Sequence, residues 1–276
     1  MPTKTLTGAD WNSTGSWSDS VVPVGGDEVL LGPDSPALTT GPTTTNQDVK
    51  LDLLATHPDY KYNVCSSGSQ LIISATKMLI QHPGDFFFQD HGGGVANKTN
   101  KIIVRCRTVN GNQQIQLGKS ATDGGDIDKV EVYKGKVRIT DASGLDEIIV
   151  DHLSNPAGDA ILTIDSGAGT IPLVRALAGE VFCSAIITAL HADDVLWHQL
   201  LNTITSLYAG GDGTTEFNTN ATLTLAQIGG RHTFDWTKDF KVKTCADVRL
   251  SGKSKFLFFD DANLHIKTVQ DWREAA

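Results

Sequence analysis

No stretch of this 276-residue chain holds the roughly 18 consecutive apolar residues that a membrane span requires. The opening segment, Met1–Trp11, lacks the apolar core of a signal peptide. The expectation is that the chain is either made and used in the cytosol or leaves the cell by another route, such as part of a particle released on lysis. No run of Lys or Arg occurs, and the formal net charge is -9. Both observations argue against nucleic acid as a partner, because phosphate binding needs clustered cations. The four cysteines, Cys65, Cys106, Cys183 and Cys245, form no CxxC pair, so buried, reduced thiols are expected. Helix signals are scarce. No HExxH, Walker loop or Rossmann fingerprint is present, and no cofactor or metal is expected.

What the chain does have is glycine, 27 residues, and many short β-prone runs separated by Gly, Asp and Asn. That is an all-β pattern. The densest part is Val174–Phe217, where a phrase recurs: an aliphatic residue, two others, Leu, any residue, then a small residue. Its copies begin at Val174, Ile187 and Ile204, with leucines at 177, 190 and 207, and a further equivalent leucine at 153. A second apolar run follows each copy: Val181–Cys183, Val195–Trp197 and Thr215–Phe217. Strand, small-residue corner and strand at short, irregular spacing predict a β-solenoid whose coils keep their strands and vary their loops.

Earlier strands are predicted at Glu28–Leu31, Val49–Leu53, Gln70–Ser74, Met78–Gln81, Asp85–Gln89, Lys101–Cys106, Ile115–Leu117, Val130–Val132, Val137–Ile139 and Ile148–Val150. Most alternate apolar and polar residues, with one face inward. Asn-Gly or Asp-Gly hairpin signals occur only at Asn110-Gly111, Asp123-Gly124 and Asp212-Gly213, too few for an antiparallel meander throughout. The fold expected is therefore a right-handed parallel β-helix, with a β-sandwich as the alternative. Its handedness follows from the general crossover preference. An N-terminal segment over 1–47 and a C-terminal one over 251–276 are expected to cap a body over 48–250.

In the head, Trp11-x5-Trp17 followed by Val22-Pro23-x3-Asp27-x-Val29 resembles the opening of a family of bacteriophage and prophage structural proteins with β-helical bodies. Cys65–Ser74 with Lys77–Ile80 looks like that family's first coil, and Val130–Ile139 with the phrases after it looks like the later coils. The departures are residues 85–100 and the irregular coil lengths. The resemblance implies a virion component without catalytic residues, most simply a decoration (cement) protein on the capsid surface. It also implies a homotrimer, which self-complementary faces would favour, and the major capsid protein as partner. Anchoring is expected in the segment least like a coil, through Trp11, Trp17, Val22, Pro23 and Asp27. A tail-fibre or tailspike-like module that binds receptor glycans is the alternative, and a glycan-cleaving enzyme stands behind it.

The remaining motifs carry less. His91-Gly-Gly-Gly94 matches an esterase oxyanion tetrad, but the G-x-S-x-G serine elbow is missing, so a turn is expected. Asp193-Asp194, Asp260-Asp261, Asp126 and Asp128 could supply the facing carboxylates of a glycosidase; solvated corners are the simpler reading. Asp123–Asp128 has clustered oxygens for calcium but neither known loop spacing. His191 and His198 are expected at surface or satisfied positions. Trp197, Tyr208, Phe217 and Trp236 recur at similar places and predict an internal aromatic stack rather than a sugar-binding face.

Overall fold

The structure is a computed structural model that describes residues 3–43, 49–91, 98–107, 112–119, 126–141, 144–151, 160–239, 241–258 and 264–273. It is all-β. Among the described residues the helical turns are two short 3-10 segments, Thr14–Ser16 and Ser166–Ala168, and no helix is long and apolar enough to cross a membrane. The chain divides into two compact units, Met1–Leu145 and Asp146–Ala276.

The first unit contains β1 (Thr3–Thr5), β2 (Glu28–Leu31), β3 (Lys50–Thr56), β4 (Leu71–Ile72), β5 (Ser74–Ile80), β6 (Phe86–Asp90), β7 (Thr99–Arg105), β8 (Ile115–Lys119) and β9 (Ile127–Ile139). All of its named ladders are parallel. One runs β1–β2–β3–β5–β7–β9. The other runs β4–β6–β8–β9. Strand β9 serves both, bending at Gly135, whose φ is +141°. Alternation turns one apolar residue per rung inward, so Val29, Leu54, Met78, Ile102 and Val130 stack in register and are buried.

The second unit contains β10 (Glu147–Val150), β11 (Ala160–Ile164), β12 (Thr170–Cys183), β13 (Ile186–Gln199), β14 (Ile204–Ala209), β15 (Thr214–Phe217), β16 (Ala221–Ile228), β17 (Thr233–Asp235), β18 (Lys243–Gly252), β19 (Lys255–Leu257) and β20 (Leu264–Arg273). Its two ladders are again parallel. Ile148, Val174, Leu190, Leu207, Ala226 and Val248 form one inward column. Leu162, Val181, Trp197, Thr215, Phe234 and Phe256 align in the other.

Several expectations need correction. The first copy of the phrase begins three residues earlier than expected, at Ile171, because Val174 and not Leu177 stands opposite Leu190. The middle second run is Trp197–Gln199 rather than Val195–Trp197, since Val195 lies opposite Gly179. Leu153, Asn110-Gly111, Asp123-Gly124 and Asp260-Asp261 fall outside the described residues. Within the segments over 1–47 and 251–276, β1 and β2 pair on to β3, and β20 pairs with β18. Among the described residues antiparallel pairing is confined to the isolated bridges Leu6–Trp17 and Ser66–Ser69.

Candidate functional site

The head of the chain builds a lid over the edge of β1. The Ser16–Ser18 segment runs antiparallel to it: the Thr7 N–H donates to the Ser16 carbonyl (2.8 Å) and the Ser18 N–H to the Thr5 carbonyl (3.0 Å). Trp11 and Trp17 lie beneath, edge to face with centroids 4.9 Å apart, and the Trp17 indole N–H donates to the Trp11 carbonyl at 2.8 Å. Both rings are buried. Asp27 is buried too, accepting the Val24 N–H (2.8 Å) and facing Lys4 at 3.6 Å. Lys4 also pairs with Asp19 at 2.5 Å. Trp11, Trp17, Pro23 and Asp27 therefore hold the head together and offer no surface to a partner, and Val22 is half-buried. The exposed large apolar residues among those described in this segment are Val21 and Val24. Tryptophans cost most when left wet, so two of them in a thin segment signal a small core as readily as a contact.

The expected aromatic stack divides. Trp197, Phe217 and Trp236 are buried inside the second unit, with Phe234 5.0 Å from Trp236 and 5.7 Å from Phe217. Tyr208 instead points out of β14 and stacks on His191 at 4.9 Å. The core's one buried amide here is satisfied: Gln199 accepts the Trp197 indole N–H at 3.0 Å and donates to the carbonyls of Ala185 and Leu201.

The carboxylates are spent on corners. Asp194 accepts the Asp212 N–H at 2.7 Å, and Asp212 in turn pairs with Arg231. The carbonyls of Asp193 and Gly210 face Nδ1 of the buried His232. Asp193 and Asp194 are both exposed at this turn. Asp128 pairs with Lys98, a cation already in place where calcium was considered. The Asp126 N–H donates to the buried Asp90 at 2.8 Å. Among the described residues no group of three or more His, Cys, Asp or Glu could hold a metal ion. Of the His91–Gly94 tetrad only His91 is described.

Rung stacking also assembles charges that are remote in sequence. On the outside of the first unit Lys77, Lys101 and Lys129 align, and Glu131 bridges Lys101 and Lys129 at 2.8 and 3.4 Å. On the second, His198 stacks on Phe182 at 4.7 Å and sits between Glu180 (3.3 Å) and Glu216 (3.0 Å). A sequence search for charge runs misses both, because the ladder spaces neighbours many residues apart. The first unit also has an open polar hollow of about 350 Å³, lined by residues that include Thr40, Ser67, Ser69, Gln70 and Gln89.

All four cysteines are buried and free. Burial pushes the thiols of Cys65 and Cys183 up to about 12 and those of Cys106 and Cys245 up to about 11, which suits packing and not nucleophilic use. His82, fully buried, lies against the Thr56 hydroxyl (3.0 Å) and the Asp85 carbonyl (3.3 Å). Burial lowers its pKa from 6.5 to about 4. The unfolded chain then binds the extra proton first, so this stabilisation is complete above pH 6.5 and is lost as pH falls toward 4. The loss reaches about 3 kcal/mol. Urea midpoints measured across that range should fall in the wild type, and the fall should be much shallower in His82→Gln.

Compared with family models, curated proteins and solved structures, the chain matches none of them.

Proposed function

We propose that the chain is a right-handed parallel β-helix with a non-enzymatic, structural role in a phage virion. In this reading it is a decoration protein that stands on the capsid surface as a homotrimer and contacts the major capsid protein. The observation that carries the structural half is the ladder itself: parallel strands pair rung upon rung in both units, with an apolar column inside each. The right hand follows from the crossover preference for parallel strands. The described polar side chains that first suggested chemistry are engaged in corners and rung-to-rung pairs. The virion half rests on the resemblance carried by Trp11–Val29, Cys65–Ile80 and Val130–Ile139.

The mechanism is mechanical. A rigid body needs an attachment surface, and apolar burial with backbone pairing supplies one. The head now offers Val21 and Val24 for this, with the tryptophans holding the loop in shape from beneath. Mass spectrometry of gradient-purified particles, from cells that carry the gene, should find the chain at a fixed ratio to the major capsid protein. Val21→Lys with Val24→Lys should release it from the particle while the free chain stays folded. Particles that never contain the wild-type chain would refute the virion role.

A glycan-binding module remains the second reading, favoured by the open polar hollow beside Gln70 and Gln89. Titration with a panel of bacterial surface oligosaccharides tests it. Saturable binding lost in Gln89→Ala would move the protein from head to tail fibre.

A further inference from the structure

The polar hollow of the first unit, about 350 Å³ in volume, holds unspent hydrogen-bonding capacity. Its lining includes the polar side chains of Thr40, Ser67, Ser69, Gln70 and Gln89. Among the described residues none of these side chains has a hydrogen-bond partner. Gln113 and Gln199 differ, since their amide nitrogens are engaged by backbone carbonyls. The hollow is also pre-shaped. On one side the Trp11 N–H donates to the Thr40 carbonyl at 3.0 Å. The Asn12 side chain there donates to the Gly41 carbonyl (2.9 Å) and accepts the Thr43 N–H (2.8 Å). On the other side Ser66 and Ser69 exchange backbone hydrogen bonds of 3.1 Å, closing a tight turn over Ser67-Gly68. Ile72 and Gln89, which also line the hollow, stand opposite each other on β4 and β6.

We propose that this hollow binds an uncharged sugar unit of a glycan. The inference rests on the glycan-binding reading of the same hollow and names the class of glycan it takes. Amides and hydroxyls both donate and accept, which matches sugar hydroxyls that do the same. Pro42 and Ile72 add apolar surface for the C–H face of a ring. Among the described residues that line the hollow none is charged, and the chain as a whole carries a net charge of -9. An acidic sugar would give up hydration of its carboxylate and gain no cation in return, so uronic and sialic acids are disfavoured. The volume is near the lower bound for small-ligand pockets and admits about one or two sugar rings. With no aromatic ring to stack on, and neutral hydrogen bonds of modest net strength, the dissociation constant is roughly 1 mM. No lining side chain titrates near neutrality, so binding is insensitive to pH and salt there.

The experiment uses the full chain and saturation-transfer NMR. The uncharged probes are maltotriose, cellotriose and triacetylchitotriose, and the acidic probe is trigalacturonate. An uncharged probe should bind with a dissociation constant on the order of 1 mM, and trigalacturonate roughly tenfold more weakly. The values should hold between about pH 6 and pH 9 and on addition of salt. Gly68→Leu adds a side chain at the rim, where a Cβ meets nothing within 4 Å. It should abolish binding and leave the urea midpoint unchanged. Gln70→Met keeps the side-chain length, removes the amide and should weaken binding roughly tenfold. Trigalacturonate bound as tightly as the uncharged probes, and lost in Gly68→Leu, would overturn the uncharged class and leave the glycan reading standing. Binding of an uncharged probe that survives both substitutions would place the site elsewhere and overturn the inference. Binding of no probe at all would remove the glycan reading along with it.

Discussion

Gly230→Val should destabilise the second unit by roughly 3–5 kcal/mol, from left-handed backbone strain and overpacking together. Gly211, Gly230 and Gly252 each adopt a φ near +60° (61, 59 and 61°). They stack at one corner in successive rungs: a Cβ on Gly230 would sit 2.8 Å from the Gly211 nitrogen and 2.9 Å from its oxygen, and one on Gly252 2.9 Å from the Gly230 oxygen. Those neighbours are backbone in an adjacent rung and cannot swing aside. Gly229 is the internal control. A Cβ there meets the Ser251 hydroxyl at 3.2 Å, and Gly229→Ala should change stability by less than about 1 kcal/mol. Urea denaturation of both variants decides the matter. A small effect at Gly230 would mean that the corner is not stacked as described.

Trp197→Ala should cost about 3–5 kcal/mol, as large-to-small changes of buried aromatics do. The ring is fully buried between Val181 and Thr215 in the inward column, and its loss also leaves Gln199 Oε1 without the indole donor at 3.0 Å. Tyr208→Ala should cost about 1 kcal/mol or less, since the ring lies outside the core on His191. The contrast matters because the two aromatics look equivalent in the sequence. Equal losses, measured by the same denaturation, would contradict the inward and outward assignment.

Much of the strand content was legible from alternation. Glu28–Leu31 is predicted and found as β2, and Ile148–Val150 lies within β10. Buried free cysteines and three of the four stacked aromatics were also legible, because their chemistry restricts where they can sit. Register was harder. In Ile171-Pro-Leu-Val-Arg-Ala-Leu-Ala the phrase with its Leu fits at Val174, whereas a start at Ile171 puts Val174 in the Leu place, and only the opposing rung, with Leu190 against Val174, shows that the second is used. Val130–Val132 and Val137–Ile139 read as two strands because Gly135 looks like a break, yet the glycine bends a single strand. The segment over 251–276 reads as a cap because its apolar residues are few; within it β20 pairs with β18 as a further rung. Burial in the head was not legible, because an isolated pair of tryptophans reads equally as a contact surface or a small core; here the Trp17 indole N–H donates to the Trp11 carbonyl and both rings are buried.

Parallel, in-register stacking is the claim on which the fold and the proposed role both rest, and disulfide trapping tests it most directly. Arg175, His191 and Tyr208 occupy one outward column in three successive rungs. Adjacent rungs are about 4.8 Å apart, within disulfide reach, and alternate rungs about 9.6 Å apart, beyond it. Under mild oxidation His191→Cys with Tyr208→Cys should form an intramolecular disulfide nearly quantitatively, and Arg175→Cys with Tyr208→Cys should form none. Cross-linking of the second pair, or failure of the first in a folded chain, would contradict the stacking.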